Sequence, residues 1–123
     1  MNLTLDNVAG SYQITACEAD HYQIQGKLYP PSLLILPDQL ITDWSVANIH
    51  DLRSEDLAPV VAHQPDLVLL GTGRTQQFPD LVVLQPLLDA QIGFQVMHNR
   101  AACQTYNIVL AEGRQVVLIL LGE

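Results

Sequence analysis

The 123-residue chain has only 2 cysteines, Cys17 and Cys103, far apart and outside any Cys-x-x-Cys pattern. A thiolate metal site or a Cys-x-x-Cys redox motif therefore has no support. Two small packed thiols are the ordinary reading of such a pair. An acidic chain poor in cysteine fits a reducing compartment, and a cytoplasmic location is expected. Basic residues are also scarce, 5 against 13 acidic ones, for a net charge of −8. A field of that sign repels phosphate backbones and anionic lipid, which argues against nucleic-acid and membrane-surface partners. Of the 5 basic residues, only Lys27 is a lysine, so a local arginine pocket stays open. Long apolar runs are missing too. The longest, Val116 to Leu121, is far below the roughly 20 residues needed to span a bilayer. Met1 to Asp6 has neither a basic segment nor an apolar core, so no signal peptide is expected, and no Arg-rich transit peptide either. There is no repeat, low-complexity tract or linker.

What is present is enough apolar material, 49% of residues, to argue against disorder. A chain of this length is read as one domain over 1–123, able to bury about two-thirds of its unfolded surface without a disulfide or metal. The N-terminal third reads as short strands. Tyr12 to Ala16 and Tyr22 to Gln25 alternate with period two, Gly26-Lys27 makes a turn or bulge, and Pro30-Pro31 ends the region. Leu33 to Leu36 is a continuous apolar run, the mark of a strand covered on both faces. Pro37-Asp38 turns the chain into a further strand, Leu40 to Trp44.

From residue 54 the pattern changes. Ser54-Glu55-Asp56 opens a helix with acids in its positive first turn, followed by Leu57, Val60 and Val61; Pro59 sets its start near Asp56 or Leu57. Leu67 to Leu70 is a second buried strand, and a loop runs from Gly71 to Pro79. Pro86 to Gln91 is a short helix broken by Gly93, and Phe94 to Met97 is a third strand. Asn99 is placed to cap the next helix, where Ala102, Tyr106, Val109 and Leu110 share a face. Glu112-Gly113 ends it, and Val116 to Leu121 is the last strand. Strands alternating with helices predict an α/β layer, with the N-terminal strands packed against or extending its sheet.

Ligands of open α/β sheets bind beyond the C-terminal strand ends. Two such ends are legible, Gly71-Thr72-Gly73-Arg74 and His98-Asn99-Arg100. Arg74 and Arg100 can clamp a carboxylate or phosphate, and the first helical turn after Asn99 offers N–H groups to an anion. Against that cleft stands a plain turn, since Gly-x-Gly lacks the third glycine of a dinucleotide fingerprint, and Gln76 stands in its place. No Gly-Lys-Ser/Thr occurs, so a P-loop is excluded. The arginines have many acids to pair with. His21, His50, His63 and His98 have no His-x-x-x-His spacing, and no metal or cofactor is expected. Ser11, Ser32, Ser45 and Ser54 have no Gly-x-Ser-x-Gly elbow. Cys103 with His98 could form a nucleophile pair, or Cys103 could be a packed thiol. Tyr106 needs a partner for its hydroxyl if buried, and Asn107 inside a helix suggests a side-chain bond to a neighbouring segment. Arg114 can cap helical carbonyls or pair with an acid. No catalytic set emerges, so a non-enzymatic interaction module leads. A protein that binds a small anion, or an enzyme of another kind, in the Gly71–Arg100 cleft is the alternative.

The stretch Pro65 to Arg74, ending in Gly-Thr-Gly-Arg, and the stretch Met97 to Asn107, followed by Glu112-Gly-Arg114, resemble hallmarks of one small family. With Leu33 to Pro37 and Trp44 upstream, the pattern is similar to the family of NADH dehydrogenase (complex I) assembly factor three and the adipogenesis-associated Mth-domain proteins. The resemblance covers nearly the whole chain. It implies a three-layer α/β fold with a mixed central sheet, no established catalytic activity, and no catalytic residues to carry over. It implies protein partners of the kind met in assembling respiratory complex I, and a bacterial cytoplasmic member fits best. A default crossover would make the last strand parallel. The mixed sheet that the resemblance implies instead suggests an antiparallel last strand, with Glu112 and Arg114 at the same edge as Arg74.

Overall fold

Every position of three strands is buried, and that fact organises the molecule. The computed structural model describes residues 12–18 and 20–123. Ser11 and the stretch Met1 to Asp6 lie outside the described residues. The fully buried strands are β4 (Leu33–Leu36), β6 (Leu67–Gly71) and β8 (Val116–Leu120). They sit inside a five-stranded sheet of order β5-β4-β8-β6-β7, with β5 (Gln39–Thr42) and β7 (Gly93–Met97) at its edges. Apolar residues at successive positions are what such a strand needs, because both faces are covered.

Odd and even positions feed two cores. One face carries Leu34, Leu36, Val68, Leu70, Val117 and Ile119, packed with Leu57, Val60, Leu84 and Leu87. These last come from a 3-10 turn, Ser54–Leu57, from α1 (Ala58–Ala62), and from α2 (Gln85–Asp89) with the residue before it. The other face carries Leu33, Ile35, Leu67, Leu69, Leu118 and Leu120, packed with Ala102, Tyr106 and Val109 of α3 (Asn99–Ala111). The second core is shared with a small antiparallel sheet of β1 (Ile14–Cys17), β2 (Tyr22–Ile24) and β3 (Lys27–Tyr29). The result is the mixed three-layer α/β fold, with the N-terminal strands packed against the main sheet and not extending it. The β2–β3 turn is Gln25-Gly26, one residue earlier than the sequence suggests. Both residues take positive φ, +52° and +83°, as a two-residue hairpin turn with this twist requires.

The last strand corrects an expectation. β8 pairs parallel with β6, Leu67 beside Val116 and Gly71 beside Leu120, and β6 pairs parallel with β7. The chain from β7 through α3 to β8 is thus an ordinary βαβ crossover. The antiparallel component of the mixed sheet is β4, which runs against both β8 and β5. Glu112 and Arg114 therefore precede β8 at the edge where β6 begins, at the opposite end of the strands from Arg74. The Gln115 N–H donates to the Asp66 carboxylate at 2.9 Å there.

Candidate functional site

Where β6 and β7 end, the chain builds the junction that the glycines mark. Gly71 is the last residue of β6, so the loop begins at Thr72. Asn99 is the first residue of α3, not its cap. The N-cap is His98, whose Nδ1 accepts from the Ala101 N–H at 3.2 Å. That frees the Asn99 side chain to turn inward, where it is buried and every bond it can readily make is made. Its Oδ1 accepts from the Gly73 N–H at 3.0 Å, and its Nδ2 donates to the Tyr22 hydroxyl at 2.9 Å and the Leu121 carbonyl at 2.8 Å. One amide thus ties the loop after β6, the small sheet and the end of β8 to the start of α3. The Asn99 N–H itself donates to the Gly73 carbonyl at 2.8 Å. Two N–H groups of the first helical turn, those of Asn99 and Ala101, are therefore spent within the protein and not offered to an anion.

The glycines serve this knot. A Cβ on Gly71 would run into the Asn99 Oδ1 and touch Leu120. Gly73 has φ +102°, and a Cβ there would strike the Glu123 carboxylate. Thr72 is buried and organises the loop. Its hydroxyl donates to the Thr75 carbonyl at 2.7 Å and accepts from the Gln77 N–H at 3.0 Å.

Around the knot lies a shallow pocket of ≈ 200 Å³ lined by Cys17, Glu18, Tyr22, Gly73, Arg74, His98 and Arg100. The predicted cleft residues Gly73, Arg74, His98 and Arg100 do come together in it. Arg74 reaches the Asp20 carboxylate at 3.5 Å, an exposed pair that contributes little, and its backbone N–H donates to the Glu123 side-chain carboxylate. Burial pushes the Tyr22 hydroxyl up to about 12, opposed in part by the bond from Asn99, so it stays protonated. The other three predicted residues are elsewhere. Tyr106 is in the core beneath α3, where burial pushes its hydroxyl up. Asn107 holds β1: its Oδ1 accepts from the Ile14 N–H at 3.0 Å and its Nδ2 donates to the Ile14 carbonyl at 2.7 Å. Arg114 is exposed at the far end of the sheet. Cys103 is buried in the second core, against which Cys17 packs, as the packed-thiol reading expects. Among the described residues, no cluster of His, Cys, Asp and Glu has the arrangement to hold a metal.

Three features escaped the sequence reading. Cys17, Glu18 and Tyr22 reach the pocket from a part of the chain distant in sequence, and Glu123 reaches the Arg74 N–H from the other end of the chain. The loop between β6 and α2 exposes Phe78, Leu81 and Val82 at 72%, 67% and 68% of their surface. Beside them, Ile49, His50, Leu52, Pro79 and Val83 line a second groove. The apolar letters at 78 and 81–84 were a signal for this patch, but a buried helix would have carried the same letters. No helix among the described residues is long and apolar enough to cross a membrane.

An α/β domain of this topology, with a glycine-bearing junction where its parallel strands end, defines a class that the comparisons identify. The profile of the DUF498/DUF598 family, proteins of unknown function, matches residues 14–121, and the chain belongs to that family. It is similar to the solved structure of a Xanthomonas campestris protein, 34% identical with a TM-score of 0.81 over 98% of this chain and 92% of that one. It is also similar to a Bordetella pertussis protein described as a Mth938-like domain, 25% identical with a TM-score of 0.81 over 100% and 94%. Among curated proteins it is 27% identical over 96 residues to the 13 kDa major membrane protein of Francisella tularensis, covering 78% of each. It is 27% identical over 90 residues to the mouse NADH dehydrogenase [ubiquinone] 1 alpha subcomplex assembly factor 3. That alignment spans 72% of this chain and 48% of the mouse protein, so the chain corresponds to about half of that factor.

Proposed function

We propose that this protein is a non-enzymatic protein-contact module of the assembly-factor kind, and that it meets its partner through the exposed apolar loop between β6 and α2. The observation that carries the reading is the trio Phe78, Leu81 and Val82, each more than two-thirds exposed beside a groove. Clustered apolar surface of this sort marks contact sites in otherwise polar exteriors. The strongly acidic charge keeps such a surface soluble while it waits for a partner. The name of the mouse relative supports the same class, and subunits of a respiratory complex are the partners to test first. The loop starts at the Asn99 knot, so a rigid sheet edge presents it.

The test is quantitative affinity capture with the intact chain against membranes that contain complex I subunits, comparing wild type with Phe78→Asp/Leu81→Asp. Enrichment of such subunits with wild type, lost in a variant whose melting temperature is unchanged, supports the reading. Equal enrichment by both, or none by either, overturns it.

The alternative reading, an anion site at Arg74 and Arg100, rests on one observation, the Glu123 carboxylate set against the Arg74 N–H. A carboxylate-bearing ligand would have to displace it. Carboxylates and phosphate should then raise the melting temperature of wild type and not of Arg74→Ala/Arg100→Ala. No rise with any of them removes this alternative.

A further inference from the structure

The two cysteines, separated by most of the sequence, meet in the fold. Asn107 pins Ile14 to α3 through both of its amide bonds, at 3.0 and 2.7 Å. The strand then runs toward the start of the helix, so that Cys17, three residues on from Ile14, lies against Cys103, about one turn of α3 back from Asn107. Cys17 packs against the buried cluster that contains Cys103, close enough for each thiol to bear on the other. They differ in access. Cys103 is buried, whereas Cys17 is half-buried and lines the pocket with Tyr22, Arg74, His98 and Arg100. Cys17 opens onto a pocket whose charged lining is Glu18, Arg74 and Arg100, so it is the thiol that a small disulfide can reach.

We propose that Cys17 and Cys103 form a redox-active thiol pair that reacts with low-molecular-weight disulfides, Cys17 as the entry thiol at the pocket and Cys103 as the resolving thiol behind it. In the first step the Cys17 sulfur attacks one sulfur of the small disulfide. A mixed disulfide forms, the small S–S bond breaks, one small thiol leaves, and the Cys17 proton goes to solvent and on to that thiol. In the second step the Cys103 sulfur attacks the Cys17 sulfur and expels the second small thiol, leaving a Cys17–Cys103 bond. The pair has lost two electrons and two protons, and one disulfide has become two thiols. Burial and the contact with Cys17 push the Cys103 thiol up, so the second step is the slow one and speeds up as pH rises. The product ties β1 covalently to α3, at the place where Asn107 already holds them.

The intact protein is incubated with glutathione disulfide as the probe and followed by intact mass and free-thiol titration, with a tryptic map of the product. Wild type is expected to lose both free thiols and end with an internal Cys17–Cys103 bond and no retained glutathione. Cys103→Ser is expected to stop at one glutathione on Cys17, and Cys17→Ser to stay unmodified while folded. Far-ultraviolet circular dichroism on each variant confirms that the comparison is between folded proteins. The proposal is overturned if wild type keeps two free thiols, if it stops at the mixed disulfide, or if folded Cys17→Ser reacts as fast as wild type. Should Cys17→Ser unfold, iodoacetamide labelling of native wild type decides instead: Cys17 labelled well before Cys103 upholds the entry role, and equal rates overturn it.

Discussion

Replacing Asn99 with alanine removes a side chain that joins four segments. The amide makes three bonds at 2.8–3.0 Å, to the Gly73 N–H, the Tyr22 hydroxyl and the Leu121 carbonyl, and is 5% exposed. A net contribution near 1 kcal/mol per bond would give about 3 kcal/mol. Alanine leaves three buried polar groups without this partner, which adds to the loss, so we expect a destabilisation of about 3–5 kcal/mol. For a chain of this length each kcal/mol lowers the melting temperature by about 4 °C, so the shift is about 12–20 °C. Tyr22→Phe loses one of the three bonds and should cost about 1 kcal/mol. Asn99→Asp keeps the acceptor for Gly73 but sets a carboxylate oxygen against the Leu121 carbonyl. It should be at least as damaging as alanine at neutral pH and recover in part as acid protonates it. Urea unfolding followed by tryptophan fluorescence measures all three, since Trp44 is half-buried against the first core. A cost below 1 kcal/mol for Asn99→Ala would show that water replaces the amide and that the knot does not hold the junction.

Two further outcomes follow from the same geometry. Gly71→Ala places a methyl group on the Asn99 Oδ1 and close to Leu120, so it should cost at least about 2 kcal/mol despite the small side chain; thermal melts comparing it with Gly93→Ala, where the nearest outside atom is 3.5 Å away, isolate the clash. The His63 Nδ1–H donates to the Pro59 carbonyl at 3.0 Å and Nε2 meets the Asp38 carboxylate at 2.9 Å, and these two bonds raise its pKa above the ordinary value. A raised histidine stabilises the fold fully below its unfolded value of about 6.5 and loses that contribution as pH rises through the higher folded value. Asp38→Asn should therefore lower the melting temperature below pH 6.5 and converge with wild type on the alkaline side, with an amplitude below about 1 kcal/mol because the carboxylate is exposed. A difference that grows with pH would refute the assignment.

The amino-acid pattern alone determined a good deal. Unbroken apolar runs at Leu33–Leu36, Leu67–Leu70 and Val116–Leu120 mark strands buried on both faces, because a strand with one wet face cannot tolerate them. Alternation at β1 and β2, the helical face of α3 and the residues of the Gly71–Arg74 and His98–Arg100 junction were legible for the same local reason. The ordinary crossover rule for a strand–helix–strand run also gave the parallel direction of β8. What was not legible is which strand makes the sheet mixed: the resemblance pointed to β8, but it is β4, whose direction is set by pairing with strands far away in sequence. Nor did the sequence show that His98 would cap α3 and leave Asn99 to face inward, since both residues can cap and only the position of Tyr22 and Leu121 decides between them. Tertiary structure alone also brought Cys17 to Cys103, and set Arg114 at the far edge from Arg74. Each of these rests on contacts between residues tens of positions apart, where the identity of either partner says nothing about the other until the sheet has folded.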